Sequence, residues 1–414
     1  MFFDFDLDRF IREKVTGRAQ SLLAADFAAN GEALHAALDG ARVLVIGGAG
    51  SIGSHYIKAL LRFPAAKLCV VDSSENGLTE LVRDLRSGAA ARVPDDFVTY
   101  PVNFGDPVFA RLLRARGPFD IVANFAAHKH VRSEKDLFSI EAMFENNLFR
   151  ARGLLDLLLE RPPRHFFCVS TDKAANPVNL MGASKKLMEE LILSYADRLP
   201  VTTARFANVA FSNGSLPLCF LERLARRQPW SCPLGIRRFF VSPTEAGELC
   251  LLASVLGAGG DIVFPRLDEA RDLIPFDRIA RDLLQALGLE ADVCADEDEA
   301  RRKMARLAAG GLQAADGAPV RWPVYFFASD TSGEKPYEEF FTADEDLDLA
   351  RFVNLGVVKN AVRRRRAEID ALFQALRECF RRPNVAKADI VAVLGTFLPH
   401  FAHIETGKGL DQKM

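Results

Sequence analysis

From residue 41 onward, short apolar runs alternate with longer stretches in which apolar and polar positions follow a helical period. The runs at 43–46, 68–71, 97–102, 119–125, 165–169 and 201–206 are dominated by Val, Ile, Leu, Phe and Ala and predict buried strands. Between them, Ile52, Tyr56 and Leu60 share one face of a predicted helix over 51–63, and a second helix runs to Glu160. A third begins near Gly182 and sets Met181 and Lys185 one turn apart on one face. Strict alternation of this kind predicts an α/β fold with a doubly wound parallel sheet. Residues 1–40 place Phe10, Val15, Leu22, Leu23, Leu34 and Leu38 among charges, which predicts a helical extension packed on the main domain or on a second subunit. Beyond residue 265 the alternation loosens. It passes an acidic, Ala-rich patch at 290–300 and a flexible-looking stretch at 308–319, then a basic helix opening with Arg363–Arg366 whose charges read as a solvated face. No internal repeat is present.

Composition narrows the class. The chain has 414 residues, 49% hydrophobic and 26% charged, with a formal net charge of −2. It is long enough to bury a large core, and it lacks the basic excess that nucleic-acid binding usually needs. Its seven cysteines (69, 168, 219, 232, 250, 294 and 379) form no C-x-x-C pair and read as reduced core residues, not a disulfide frame or zinc site. The acidic start, Met1-Phe2-Phe3-Asp4-Phe5-Asp6, lacks the basic region of a signal peptide. No apolar run reaches membrane-spanning length, so a cytoplasmic protein is expected.

Chemistry gathers at the strand ends. The run 43–46 leads into Gly47-Gly48-Ala49-Gly50-Ser51-Ile52-Gly53, with glycines at 47, 50 and 53. Between strand and helix, such glycines allow a tight turn and close approach of backbone to a pyrophosphate. The next strand ends at Asp72, a carboxylate suited to the adenosine ribose of NAD and repulsive to the 2′-phosphate of NADP, so NAD is the expected cofactor. The strand at 119–125 runs into Ala126-Ala127-His128-Lys129-His130-Val131. Its two histidines share a face, but no Cys or carboxylate set completes a metal site and none is expected. The run 165–169 stops at Ser170-Thr171-Asp172-Lys173, an acid beside a base at the sheet edge where α/β folds bind ligands.

These motifs resemble the extended short-chain dehydrogenase/reductase superfamily, and within it the nucleotide-sugar 4,6-dehydratases. Thr171-Asp172-Lys173 matches that family's triplet after a strand, and Lys185 matches the lysine of its Tyr-x-x-x-Lys pair. Met181 stands at the tyrosine position, as in the capsule and bacillosamine subgroup. The likeness covers residues 41–265 well and 326–340 by one motif, Gly333-Glu334-Lys335-Pro336-Tyr337-Glu338-Glu339, which resembles Gly-Glu-Lys-x-x-Glu-Glu. An arginine usually stands two residues before that glycine, where this chain has Thr331. Together with Val-Arg-Ser-Glu-Lys-Asp at 131–136, this variant is similar to dehydratases of nonulosonic, legionaminic-type sugar pathways. Related dehydratases often carry membrane helices, and this chain is expected to be a soluble form.

The resemblance implies an NAD-binding Rossmann domain over 41–265, with substrate contacts from 205–245. A substrate-binding lobe over 266–345 would follow, flanked by the helical extension at 1–40 and a helical tail at 346–414. It places Gly47, Gly50, Ser51, Ile52, Gly53 and Asp72 on the cofactor, with Asn103 and Phe104 beside the adenine. Ala126 and Ala127 would make room for the dinucleotide, with Lys129, Asn147 and Lys185 near its reactive end. It places His130, Asn208, Ser212, Arg238, Glu334 and Lys335 on a nucleotide-sugar substrate, UDP- or GDP-N-acetylglucosamine, in a homodimer or larger homo-oligomer. The implied reaction oxidises C4, removes water across C5 and C6, and returns hydride to C6. Asp172 would serve as the acid at C6 and Lys173 as the base at C5. With Met181 in the tyrosine's place, the C4 proton goes either to Asp172 acting twice or to water held by Thr171. Burial favours the neutral forms that Asp172 and Lys173 need, and their mutual attraction favours the charged ones. A 4-epimerase depends on the absent tyrosine and has no use for the Asp-Lys pair. A non-catalytic NAD-binding protein would not need Asp172, Lys173 and Lys185 together.

Overall fold

The computed structural model describes residues 5–88, 92–310, 319–329, 335 and 337–405. Six strands of the large sheet come first: β1 (Arg42–Ile46), β2 (Lys67–Asp72), β3 (Asp96–Pro101), β4 (Ile121–Asn124), β5 (His165–Val169) and β6 (Val201–Ala204). Short β7 (Asn208–Val209), β8 (Trp230–Leu234) and β9 (Arg237–Val241) lead out of it, and β10 (Ile262–Pro265) returns. Next come β11 (Leu273–Pro275), β12 (Leu289–Cys294), β13 (Val320–Ala328), β14 (Leu347–Asp348) and β15 (Leu355–Val358). The large sheet has the order β14-β15-β10-β6-β5-β4-β1-β2-β3, parallel from β10 to β3. Burial explains the apolar runs. Val43, Leu44 and Val45 on β1 are fully buried, as a strand covered by helices on both faces must be.

Two three-stranded sheets, β11-β9-β7 and β12-β13-β8, form a smaller lobe. Its core packs Trp230, Cys232, Trp322 and Val324 against Ile279, Leu283 and Leu284 of the helix Phe276–Ala286. Strands and helices therefore continue through the region where the sequence pattern loosens; only residues 311–318 of the flexible-looking stretch lie outside the described residues.

Both ends of the chain are woven into this frame. Phe10, Ile11 and Val15 enter the small-lobe core, whereas Leu23, Phe27, Leu34 and Leu38 enter the main core. Arg18 ties the crossing by ion pairs to Glu245 at 2.8 Å and Asp272 at 3.4 Å. Asp26, fully buried, accepts from the backbone N–H of Val353 at 2.7 Å and of Asn354 at 3.0 Å. The expectation of a helical tail over 346–414 needs correction at its start. β15 pairs antiparallel with β10, so the tail first extends the large sheet and only then forms the helices Arg366–Arg381 and Lys387–Phe397. Residues 355–358 are apolar and fully buried, but a four-residue edge strand is too short to stand out as a run. Among the described residues no helix is long and apolar enough to cross a membrane.

Candidate active site

The C-terminal ends of β4, β5 and β6 open onto one cavity of about 720 Å³, with Ile52 of the helix after β1 on its wall and small-lobe residues such as Ser231, Pro233 and Arg238 lining its far side. This is the edge where a doubly wound sheet leaves a ligand crevice.

On the β1 side the chain turns at Gly47, whose φ of +76° is left-handed. A Cβ there would lie 2.5 Å from the Ala126 nitrogen, and one at Gly53 would lie 2.3 Å from the Gly47 carbonyl. Backbone thus packs on backbone, and only glycine fits. A Cβ at Gly50 would meet only the Gly47 carbonyl, at 3.4 Å, so the middle of the turn stays open. The helix Ser51–Leu60 begins here with Gly50 as N-cap and no side-chain cap, leaving its first N–H groups for an anion. Asp72 Oδ2 accepts from the Ala49 N–H at 3.0 Å and Oδ1 from the Ser74 N–H at 2.9 Å, which sets its carboxylate against the turn. Ser51 Oγ accepts from the Asn213 N–H at 2.9 Å and links the turn to the small-lobe side.

On the β5 side, Thr171, Asp172 and Lys173 form a corner on the cavity wall. Asp172 is 3% exposed, and its Oδ1 accepts from Thr171 Oγ1 at 2.8 Å, the Lys173 N–H at 2.9 Å and Lys173 Nζ at 3.1 Å. Behind the corner, Ser170 Oγ donates to Glu189 at 2.6 Å. Fully buried Arg205 bridges Glu189 at 2.8 Å and Glu345 at 2.8 Å. Burial alone would raise the Glu189 carboxyl, but Arg205 outweighs it and holds the group below its ordinary range.

Met181 lines the same cavity. It is 2% exposed, and its N–H donates to Glu134 Oε1 at 3.0 Å, so Glu134 helps fix the start of the helix Leu180–Leu193. Lys185, one turn on, donates from Nζ to the Val169 carbonyl at 3.0 Å, and burial lowers its pKa. Ile52, Ala127, Lys129, His130, Asn208, Ser212 and Arg238 complete the cavity's sequence-predicted lining. His130 packs over the turn after Asn213, because a Cβ on Gly214 would lie 2.7 Å from its ring. Among the described residues, Asn208 Nδ2 is buried in the cavity wall without a hydrogen-bond partner, a donor with a cost until a ligand meets it.

Other predicted residues fall elsewhere. Phe104 is 4% exposed and packs in the main core, and Asn103 Oδ1 accepts from the Gly105 N–H at 2.9 Å. Asn147, in the π-helical turn Glu145–Arg150, bonds the N–H and carbonyl of His128, each at 2.9 Å, and Ser184 at 3.1 Å. It braces the end of β4 and does not face the cavity. Ala126 backs onto Gly47. Lys335 Nζ donates to the Asn176 carbonyl at 2.7 Å, which fastens its segment to the loop after the corner instead of lining the cavity. Glu334 lies outside the described residues.

Sequence reasoning passed over Glu338, although it lies inside the quoted motif. Its side chain is 3% exposed, lines the cavity and sets Oε1 3.8 Å from Lys173 Nζ. Among the described residues no group of three His, Cys, Asp or Glu side chains is placed to hold a metal.

The pattern of the polysaccharide biosynthesis protein family matches residues 43–307. The uncharacterized membrane protein MJ1061 of Methanocaldococcus jannaschii is 34% identical over 241 residues, 56% of this chain and 69% of that protein. The capsular polysaccharide biosynthesis protein CapD of Staphylococcus aureus is 29% identical over 252 residues, 59% of this chain but only 41% of its own length. A UDP-N-acetylglucosamine 4,6-dehydratase (inverting) of Campylobacter jejuni is 27% identical over 244 residues, 56% of this chain and 69% of the enzyme. Among solved structures, Pen from Bacillus thuringiensis superposes with a TM-score of 0.61 at 20% identity, covering 78% of this chain and 87% of that one. The dTDP-glucose 4,6-dehydratase DesIV from Streptomyces venezuelae, with NAD and TYD bound, gives 0.54 at 19% identity, covering 86% and 97%. At these identities the structural likeness is one of fold.

Proposed function

The chain belongs to the polysaccharide biosynthesis protein family, and on that premise we propose that it is an NAD-dependent 4,6-dehydratase of UDP- or GDP-linked N-acetylglucosamine. The observation that carries the reading is the corner itself: a buried carboxylate and an amine 3.1 Å apart on the cavity wall, facing a methionine where an epimerase needs a phenol. The relative from Campylobacter jejuni, named for this reaction on UDP-N-acetylglucosamine, supports it.

NAD fits the residues present. The open turn at Gly50 and the uncapped helix start at Ser51 would take the pyrophosphate, Asp72 the adenosine ribose, and Lys185 the nicotinamide ribose. Bound there, NAD supplies reversible hydride transfer. The chain supplies proton transfer and position. Lys173 takes the C5 proton, made acidic by a ketone at C4, and Asp172 protonates the C6 hydroxyl as it leaves as water. Asn208 Nδ2 offers a donor to the sugar nucleotide, and Arg238 a cation to its diphosphate. The cavity walls hold the sugar against these groups, which is where much of the rate arises.

The test is to incubate purified protein with NAD and UDP- or GDP-N-acetylglucosamine and weigh the product. A sugar nucleotide lighter by one water is expected. An isomer of unchanged mass would make the enzyme an epimerase, and no product from either nucleotide would remove the reading.

A further inference from the structure

Resting on the dehydratase reading, we propose that Glu338 binds the C6 hydroxyl of the sugar. By holding that hydroxyl it fixes the direction of the C6–O bond before the bond breaks.

The fold buries this carboxyl without meeting it. Glu338 is 3% exposed on the cavity wall, and among the described residues no hydrogen bond reaches its oxygens. Lys173 Nζ stands 3.8 Å from Oε1, close enough for attraction between charges but beyond hydrogen-bond reach. A buried polar group left in that condition carries a cost that a ligand's hydroxyl would lift. Burial, more than any neighbour, pushes the Glu338 carboxyl up, and Lys173 opposes the rise. A hydroxyl suits either form, since a carboxylate accepts from it and a carboxylic acid donates to it. The segment around Glu338 is pinned on both sides, so the carboxyl is in place before substrate arrives. Phe340 packs against Phe239 and Phe264 with ring centroids 5.3 and 6.4 Å apart, and its carbonyl accepts from Arg205 Nη1 at 3.0 Å. Glu339 accepts from Asn176 Nδ2 at 2.8 Å, and Lys335 Nζ donates to the Asn176 carbonyl at 2.7 Å. Asp172 differs, because Thr171 and Lys173 already place three donors on its Oδ1.

Distance selects the sugar atom. Lys173 acts at C5, so a carboxyl 3.8 Å from its amine meets the groups on and beside that carbon. The C4 hydroxyl gives up its proton in the first step, and the ring oxygen has none. The C6 hydroxyl is the neighbour that stays a hydroxyl until it departs. In solution the hydroxymethyl group turns freely about the C5–C6 bond. Elimination needs the C6–O bond aligned with the electron pair freed at C5, so fixing one rotamer in advance is a gain in positioning. Asp172 then protonates an oxygen that Glu338 has already placed.

The experiment is a calorimetric titration of the NADH-loaded enzyme, in which C4 cannot be oxidised. The ligands are UDP- and GDP-N-acetylglucosamine and the 6-deoxy analogue of whichever binds. Wild type should bind the parent at least about tenfold more tightly than the analogue, the weight of a hydrogen bond to a buried or charged group. Glu338→Leu should erase that ratio by weakening the parent and leaving the analogue unchanged. Glu338→Gln, whose amide can still meet a hydroxyl, should keep most of it. A wild-type ratio near one overturns the proposal with no variant needed. So does a Glu338→Leu enzyme that keeps the ratio or loses both ligands alike. The reading beneath it fails differently: a wild type that prefers the parent yet releases no water is no dehydratase, and Glu338 still binds the C6 hydroxyl. Binding of neither nucleotide overturns both.

Discussion

The turn at Gly47 and the corner at Thr171–Lys173 lie on the same edge of one sheet, with β4 between their strands, and they are held by opposite means. The turn is backbone against backbone: the Gly47 N–H donates to the Val71 carbonyl at 2.7 Å, and neither Gly47 nor Gly53 has room for a methyl group. The corner is charge against charge, drawn from β5, the following loop and the segment around Glu338, with Glu189, Arg205 and Glu345 behind it. The turn should therefore tolerate no bulk, and the corner no change of charge. That difference can be broken experimentally, beginning where the effect is largest.

At the corner, Asp172→Asn keeps shape and removes the transferable proton. Turnover should fall by about 10²–10⁴-fold, the usual contribution of a general acid, with NAD binding intact by titration. Lys173→Met should abolish product as deeply while leaving C4 oxidation possible, so reduced-nicotinamide absorbance should build up when substrate is added. Normal product from either variant would end the assignment of the corner. If Asp172 also accepts the C4 proton, its Asn variant should show no such absorbance, and the two variants then part at the first step.

At the turn, Gly47→Ala forces a Cβ to 2.5 Å from the Ala126 nitrogen at a φ of +76°. Overpacking and left-handed strain each cost about 1–3 kcal/mol, so the melting temperature should fall and NAD affinity with it. A variant that melts and binds NAD like wild type would mean the turn is looser than its contacts imply.

The contrast also explains what the sequence reveals. The central strands β1, β2, β4, β5 and β6 are legible because burial on both faces makes each one an apolar run, and the turn is legible because close backbone contact demands glycines at fixed spacing. Asp172 and Lys173 are local too. Glu338 is not: what makes it part of the site is burial beside Lys173, reached by a long excursion through the small lobe. Asn147 and Phe104, whose motif positions suggest cofactor contact, bond the His128 backbone and pack in the core respectively. β15 was hidden by its length.

A smaller effect separates the two cofactors. Asp72 presents a carboxylate beside the turn, bonded to the Ala49 and Ser74 N–H groups, and a 2′-phosphate would meet that charge directly. NAD should bind at least about tenfold more tightly than NADP, roughly one charged hydrogen bond's worth, and Asp72→Ser should narrow the ratio. Equal affinities in the wild type would detach Asp72 from the ribose.

The smallest effect is expected at Met181, where the two regions' rules meet. Its place on the first turn of the helix Leu180–Leu193 is one where related enzymes carry an acid–base tyrosine, yet its thioether has no proton to exchange. Its N–H, not its side chain, makes the structural bond, to Glu134 at 3.0 Å, and any residue but proline keeps that bond. Leu is close in volume, and such swaps in a packed wall usually cost less than about 1.5 kcal/mol. Met181→Leu should therefore retain wild-type kcat within a few-fold and leave the pH profile unmoved. A loss as deep as that of Asp172→Asn would give the sulfur a chemical role. Met181→Tyr sharpens the point: a phenol restored beside the corner adds a group that titrates but also adds bulk to a side chain only 2% exposed. If crowding governs this wall, the tyrosine variant should lose more activity than the leucine one.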